Sequence, residues 1–334
     1  MMEGSEDARA LHAEYPPIDL HADTLMWSRW LGYDFLVRHE PPLWRSALGG
    51  HVDLPRLRDA GMGAQFFGLV SLPFIPKVTG LARAIEEQID LLAEAATLRP
   101  SELRLVRTAV EIDLCRRDGV IAALLGIEGA HSLEGDLDKV DHFARRGVRY
   151  LSPLHLTPNE AGYPAYGRGR RDHAGLTRWG LDLVRRCESA GVIVDLSHVN
   201  RSGFLDACRI ASKPPIVSHT GALGAHDHPR NIDDEQLRAI ANLGGVVGII
   251  FYPRYLGGDG IAAVVKHFLH VIKTAGEDVP ALGSDWDGFI VPTRELSDPR
   301  GLPRLTDALL RAGVGRRALG KILRGNVMRI LATA

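Results

Sequence analysis

The chain has 334 residues, 45% of them hydrophobic and 24% charged, enough for a sizeable core in one large domain or two ordinary ones. Its 40 Lys and Arg against 41 Asp and Glu leave a formal net charge of −1. Nothing global recruits nucleic acid or an anionic membrane, and small neutral or zwitterionic partners fit better.

The opening stretch MMEGSEDARALHAEYPP is polar and acidic, without an apolar signal region, so residues 1–15 are expected to form a flexible N-terminal segment. No later run is long and apolar enough to span a bilayer, and a cytoplasmic soluble protein is expected. Apolar, β-branched runs then recur in order as eight strands: PPIDLH (16–21), GMGAQFFGLVSL (61–72), GVIAALLGIEG (119–129), VRYLSPLH (148–155), GVIVDLSH (191–198), PPIVSH (214–219), GGVVGIIF (244–251) and VPALGSDWDG (279–288). Helical patterns lie among them at 81–98, 178–190, 233–243 and 262–275, with apolar positions three and four apart, and two more follow at 301–314 and 316–332. This alternation suggests a (β/α)8 TIM barrel in a single domain, residues 1–334. A doubly wound open sheet is the alternative architecture, but the Gly-rich phosphate fingerprint it often carries is missing. GYPAYGRGRRDHAGL (162–176) is a Gly-rich, basic loop after the fourth strand and a candidate border of the site.

Catalytic groups of a barrel sit at the C-terminal ends of its strands. Strand one ends in His21 and Asp23, which share a side by the period of two, strand three in Glu128 and strand four in His155. Strand five ends in His198, strand six in His219 and strand eight in Asp285. Singly these read as a satisfied core histidine, a capping carboxylate or an Asx-turn residue. Together they point to a metal centre, because burying so many ionisable groups at one end without an ion is costly. Three cysteines, Cys115, Cys187 and Cys208, have no Cys-x-x-Cys spacing, so the ligands must be His and carboxylate.

His21, Asp23, Glu128, His198, His219 and Asp285 exceed what one tetrahedral ion needs, which points to two metals sharing a carboxylate. VRYLSPLH has no lysine to serve as a modified bridge, leaving Glu128 as the natural one. Imidazole and carboxylate ligands favour two Zn2+, with Mn2+ or Co2+ as substitutes. The same His-x-Asp spacing recurs in GGHVDLP, but after Gly-Gly rather than an apolar strand. There Asp53 reads as an N-cap with Pro55 in the first turn, and His51 as a loop residue. Of the two acids in GSDWDG, Asp285 comes first after the apolar run, and Asp287 is same-side by spacing as a helper.

The stretches DLHADT, GGHVDLPRLRDAGMGAQFF, GIEGAHSL, GLTRWGLDLVRRCESAGVIVDLSHVN, PIVSHTGALGAHDHPRN, ALGSDWDG, LPRLTDALLRAG and ILRGNVMRIL, in this order, resemble the membrane (renal) dipeptidase family, the M19 metallopeptidases, including their soluble bacterial members. The resemblance implies a binuclear zinc barrel of the metal-dependent amidohydrolase type. In it His21, Asp23 and Asp285 hold one ion, His198 and His219 hold the other, and Glu128 bridges. By the same likeness His155 contacts the substrate carbonyl, and Arg230 in HDHPRN binds the C-terminal carboxylate of a dipeptide. The implied reaction is hydrolysis of a dipeptide, including one with a D-residue in second place, by a hydroxide held between the ions, with Asp285 moving the proton. A homodimer is also suggested.

Two departures stand out. LSPLHLTPNEAGYPAYG lacks the threonine-rich run and the asparagine that many relatives carry around the strand-four histidine, which bears on the contacts made near His155. A lipid-anchor tail and secretory signal are missing, so membrane attachment is not carried over. Other readings are the same metal site acting on another amide, β-lactam, lactone or phosphoester, and a non-catalytic scaffold, against which the presence of Asp285 and Glu128 counts. For Arg230 the plain alternative is a surface ion pair with Asp227 or Asp234.

Overall fold

The computed structural model describes residues 4–39, 47–73 and 80–333. The strands in chain order are β1 (Ile18–Ala22), β2 (Ala64–Val70), β3 (Leu103–Leu105), β4 (Ile121–Glu128), β5 (Val148–Ser152), β6 (Ile193–Val194), β7 (Ile216–Thr220), β8 (Val246–Ile249) and β9 (Pro280–Leu282). Runs such as Ile-Ala-Ala-Leu-Leu-Gly-Ile leave no wet face, and every residue of β4 is buried, as a parallel sheet covered on both sides requires. The row runs β6-β5-β4-β2-β1-β9-β8-β7, with β3 paired outside it on β4. Its two ends meet: Asp195, just beyond β6, bridges Ile216 of β7, and the Leu196 N–H donates to the Ile216 carbonyl at 2.8 Å. The sheet is therefore an eight-stranded (β/α)8 barrel rather than an open doubly wound sheet. Its staves are the eight expected strands. β3 is too short, at three residues, to leave a hydropathy pattern.

Helices form where apolar residues recur three and four apart. Leu81–Leu98 turns Ala84, Ile85, Ile89 and Leu92 onto the barrel, and Arg178–Ser189, Asp234–Asn242 and Ile261–Ala275 do the same further along. The C-terminal run includes a π-type turn at Lys321–Gly325 and ends in Asn326–Leu331. Val327, Ile330 and Leu331 pack there against Ile18, Ile193, Ile216 and Val246, the first residues of four strands, and so close the N-terminal end of the barrel. The N-terminal segment differs from the flexible stretch expected. Glu6–Glu14 is a helix capped by Ser5, with Ala8 and Leu11 fully buried one turn apart and His12 Nε2 at 2.8 Å from Thr306 Oγ1. That short apolar stripe is enough to dock it.

Three strands carry one residue more than their neighbours where the site begins. Partners run Ile18–Ala64, Asp19–Gln65 and then Ala22–Phe67, so β1 has an extra residue at Leu20–His21. β7 has one at Ser218–His219, between Val217–Val247 and Thr220–Ile249, and β5 has one at Arg149, between Leu125–Val148 and Gly126–Tyr150. Such bulges reverse the alternation and re-aim the side chain that follows.

Candidate active site

At the open end of the barrel the bulge in β1 aims His21 inward. Asp23, at the N-cap position of the helix Thr24–Leu31, brings Oδ1 to 3.1 Å from His21 Nε2, and Asp285 Oδ1 lies 3.9 Å from the same nitrogen. Glu128, the last residue of β4, sits in the middle. Its Oε1 is 2.8 Å from His198 Nε2, 3.3 Å from His219 Nε2 and 3.8 Å from His21 Nε2, while Oε2 is 3.4 Å from His155 Nε2. None of the six expected ligands is more than 7% exposed.

Three sets of ligand atoms each converge within 4.8 Å: His21 with Asp23 and Asp285, His21 with Glu128 and His219, and Glu128 with His155 and His198. His155, expected as a substrate contact, thus stands as close to Glu128 as a ligand would. The residues fit a divalent cation by their unmet bonding. His21 Nε2 and Asp23 Oδ1 are buried and close, yet neither makes a hydrogen bond, and the Nε2 atoms of His198 and His219 face each other at 3.0 Å. Three buried carboxylates beside bare imidazole nitrogens are what a cation compensates.

The charges are coupled. Burial would lower the pKa of His21, but the carboxylates of Asp23, Glu128 and Asp285 outweigh it and hold the imidazole up at about 10. Burial pushes Asp23 up to about 6 and Asp285 well above the carboxylate range. Glu128 goes the other way, because the imidazoles of His155, His198 and His21 overcome the effect of its burial. His198 and His219 are driven well below the ordinary imidazole value, chiefly by burial, and His155 to about 3 for the same reason.

Each half of the cluster is braced from behind. Tyr150 donates its hydroxyl to the Leu20 carbonyl at 3.1 Å and lies 2.7 Å from His21 Nδ1, so the neutral ring keeps its proton on Nδ1 and presents a lone pair at Nε2. Ser218 does this for His219, donating to Asp195 Oδ2 at 2.7 Å and lying 2.9 Å from Nδ1. The fully buried Asp195 also accepts from the Ser197 and Ser218 N–H groups at 3.0 and 2.8 Å and from the Ser152 hydroxyl at 2.6 Å. Asp19 is its counterpart, accepting from the Gln65 amide at 2.7 Å and from the N–H and hydroxyl of Ser284 at 2.8 and 2.7 Å. Ser218 precedes His219 and Ser284 precedes Asp285, so each buried aspartate registers a neighbouring strand that carries a candidate ligand. A carboxylate inside an apolar run shortly before a histidine, as in PPIDLH and IVDLSH, is the sequence signal for both. Tyr150 has no such signal, because only the bulge turns it inward.

Gly68 of β2 leaves the space this packing needs, since a Cβ there would collide with Asp23 Oδ1 and the His21 ring. Among the described residues five non-glycines have positive φ, and four of them, His198, Asp285, Asp287 and Phe289, are at this end of the barrel. Strain at functional sites follows that pattern.

Asp287 does not stand beside Asp285. β9 has ended at Leu282 and the backbone at both aspartates is left-handed, so the strand period no longer applies. Its carboxylate instead accepts from Thr24 Oγ1 at 2.6 Å and from the His51 N–H at 2.7 Å, while its own N–H donates to His51 Nδ1 at 2.9 Å. His51 is therefore a buried brace for the turn after β9, more than a loop residue. Asp53 caps Leu54–Asp59 through the Arg56 N–H, with Pro55 in the first turn, as its context indicates.

A cavity of about 540 Å3 opens over the cluster, and Arg230 lines it. Arg230 is 2% exposed, donates from Nη2 to the His219 carbonyl at 3.1 Å and leaves Nε without a partner. It pairs with neither Asp227 nor Asp234, so the surface ion pair does not form. The three cysteines are free, with Cys115 and Cys187 buried. None of the described helices is long and apolar enough to cross a membrane.

Residues 5–334 match the family model described as membrane dipeptidase (peptidase family M19). An uncharacterized protein in the pqqA 5' region of Klebsiella pneumoniae is 36% identical over 255 residues, 73% of this chain and 94% of that protein. The dipeptidase tcpJ of Claviceps purpurea is 34% identical over 312 residues, 90% of this chain and 72% of its own. Among solved structures, a metallo peptidase from Rhodobacter sphaeroides, liganded with a phosphinate mimic of the dipeptide L-Ala-D-Ala, superposes with a TM-score of 0.82 at 26% identity, covering 95% of this chain and 99% of that one. With the family model spanning the whole barrel and its candidate metal cluster, the chain belongs to the membrane dipeptidase family of metallopeptidases and is a hydrolase of peptide bonds.

Proposed function

We propose that the protein is a binuclear zinc dipeptidase in which His21, Asp23 and Asp285 hold one ion, His198 and His219 hold the other, and Glu128 serves both. The observation that carries this reading is the juxtaposition of six buried ligand groups with a buried arginine that has no carboxylate partner among the described residues. Nitrogen and carboxylate donors without thiolate suit Zn2+, and Mn2+ or Co2+ would be accepted in its place. Such ions, when bound, polarise a carbonyl and bring the pKa of water to about 7, so that a nucleophile exists at neutral pH.

The chain's own residues do the rest. Asp285, at the cavity floor, takes the proton of the attacking water at its carboxylate and passes it to the leaving amine. His155 is neutral, its imidazole pKa lowered to about 3, and can donate one N–H to the carbonyl oxygen as charge develops there. Arg230 receives the substrate's terminal carboxylate through its open guanidinium edge, and its contact with the His219 carbonyl keeps that anchor beside the cluster. An anchor so near the reacting bond leaves room for one residue beyond it. A cavity of about 540 Å3 is of the size that encloses a small ligand. The bound L-Ala-D-Ala mimic of the Rhodobacter sphaeroides peptidase supports including a D-residue at the second position.

The test is amino-acid release from L,L- and L,D-dipeptides by zinc-loaded and chelator-stripped protein. Release is expected only with metal, and Arg230→Ala is expected to raise KM by about tenfold or more, the loss of a charge-assisted hydrogen bond. No release from metal-replete protein would point instead to another amide or a lactone as substrate. An unchanged KM in the variant would remove Arg230 from the site.

A further inference from the structure

The cavity over the metal cluster has two chemically different walls, and they come from opposite arcs of the barrel. The strands β2, β1 and β9 are neighbours. Their ends and the segments that follow contribute Val70, Leu72, Trp30, Phe289 and Ile290, an apolar wall on the side of Asp23 and Asp285. The facing wall follows β5, β7 and β8 and contributes Tyr166, Arg230, Tyr252, Arg254 and Tyr255. Among the described residues the three acids that line the cavity, Asp23, Glu128 and Asp285, belong to the candidate metal cluster, and the charged side chains these residues place on the second wall are the two arginines.

Its two arginines stand at different depths. Arg230 is buried at the floor beside His219, whereas Arg254 is exposed at the rim, its guanidinium carbon 5.9 Å from the centroid of the Tyr166 ring. No hydrogen bond or ion pair holds Arg254 among the described residues. A cation over an aromatic face keeps its N–H edges free for an anion.

We infer that this site selects dipeptides with a hydrophobic first residue and an acidic second one: Arg254 reads the second side-chain carboxylate while Arg230 holds the terminal one. The inference rests on the dipeptidase reading and on the role given there to Arg230. With the terminal carboxylate at Arg230, the second residue lies along the basic wall, and its side chain extends outward to the rim. The first residue then lies across the metals, against Trp30, Leu72 and Ile290. Arg254 is a specificity residue that touches the substrate's side chain and no reacting atom.

The experiment compares kcat/KM of the zinc-loaded protein for Leu-Glu, Leu-Gln and Glu-Leu, with the glutamyl or glutaminyl residue in whichever configuration is cleaved faster. Leu-Glu is expected to exceed its isostere Leu-Gln by about tenfold, the worth of one charge-assisted hydrogen bond, and Glu-Leu is expected to be the poorest of the three. In Arg254→Ala the Leu-Glu to Leu-Gln ratio should fall to about one, and in Arg254→Glu it should drop below one. A ratio near one in the unaltered protein, a ratio that survives Arg254→Ala, or a preference for Glu-Leu each overturns the inference while leaving the dipeptidase reading intact. Failure to cleave any of the three brings down the dipeptidase reading and the inference with it.

Discussion

His21 and His219 stack ring on ring at 4.1 Å and are equally buried, yet their pKa values move in opposite directions. His21 is held up at about 10, and His219 is driven well below the ordinary value. Burial acts on both in the same sense, so the difference comes from their companions. On the β1 and β9 side the imidazole shares its space with Asp23 and Asp285, while His219 on β7 is held down by the charge of His21 itself and of Arg230, against the pull of Glu128. The scaffolding beneath is the same on both sides: a buried aspartate, Asp19 or Asp195, accepts the N–H and hydroxyl of the serine just before a candidate ligand. One half of the site is thus an anionic pocket that gathers protons, and the other a pocket that rejects them.

Glu128 joins the halves, and its loss should have the largest effect. Glu128→Gln keeps the shape and removes the shared charge. If Glu128 serves two ions as proposed, its loss should exceed the roughly 10- to 100-fold affinity cost of removing an outer-shell partner, so both ions should bind more than about 100-fold more weakly. Metal content after dialysis, read beside turnover, checks this, and a variant that retains two ions with normal affinity would separate Glu128 from the metals.

The contrast between the halves has a smaller and more selective consequence in proton release. Without metal His21 carries a proton at neutral pH, since its pKa is held at about 10, and a coordinating Nε2 must be bare. Loading the metal-free protein at pH 7 to 8 should therefore release about one proton or more from the β1 and β9 half, and none from His198 or His219. The release should fade as pH rises through about 10, where His21 is already neutral. Calorimetric titration in buffers of different ionisation enthalpy measures it. Loading with no proton release at pH 7 would mean that the carboxylates do not hold His21 charged.

The ends of the strands were legible because a parallel strand buried on both faces reads as an unbroken apolar run, and a polar residue closing that run has nowhere to go but the barrel mouth. Glu128 after Ile-Ala-Ala-Leu-Leu-Gly-Ile and His219 after Ile-Val-Ser show this, and both stand where that logic puts them. What the pattern could not show is any departure from period two. His21 and Asp23 do meet, but through a bulge and a helix cap rather than through strand alternation. The same error in the other direction makes Asp287 look like a neighbour of Asp285, when left-handed backbone turns it onto His51 and Thr24. A bulge depends on pairing with a second strand, so a single strand's hydropathy carries no trace of it.

The finest test of the two-sided site lies in the hydroxyls that fix its histidines. Tyr150→Phe removes the acceptor for His21 Nδ1–H and leaves the ring stacking and the cavity volume nearly unchanged. Ser218→Ala removes the acceptor for His219 Nδ1–H. Outer partners of this kind are worth about 10- to 100-fold in metal affinity, and Tyr150→Phe belongs at the low end because its phenyl ring still packs against Phe66. If the halves are independent, a two-step metal titration should show each substitution weakening a different step, Tyr150→Phe about tenfold on the carboxylate side and Ser218→Ala on the imidazole side. The serine change should also lower Tm, because Asp195 loses a donor at the seam where β6 meets β7. Both substitutions acting on the same step, or on both steps equally, would mean that Glu128 couples the ions so tightly that the two sides titrate as one.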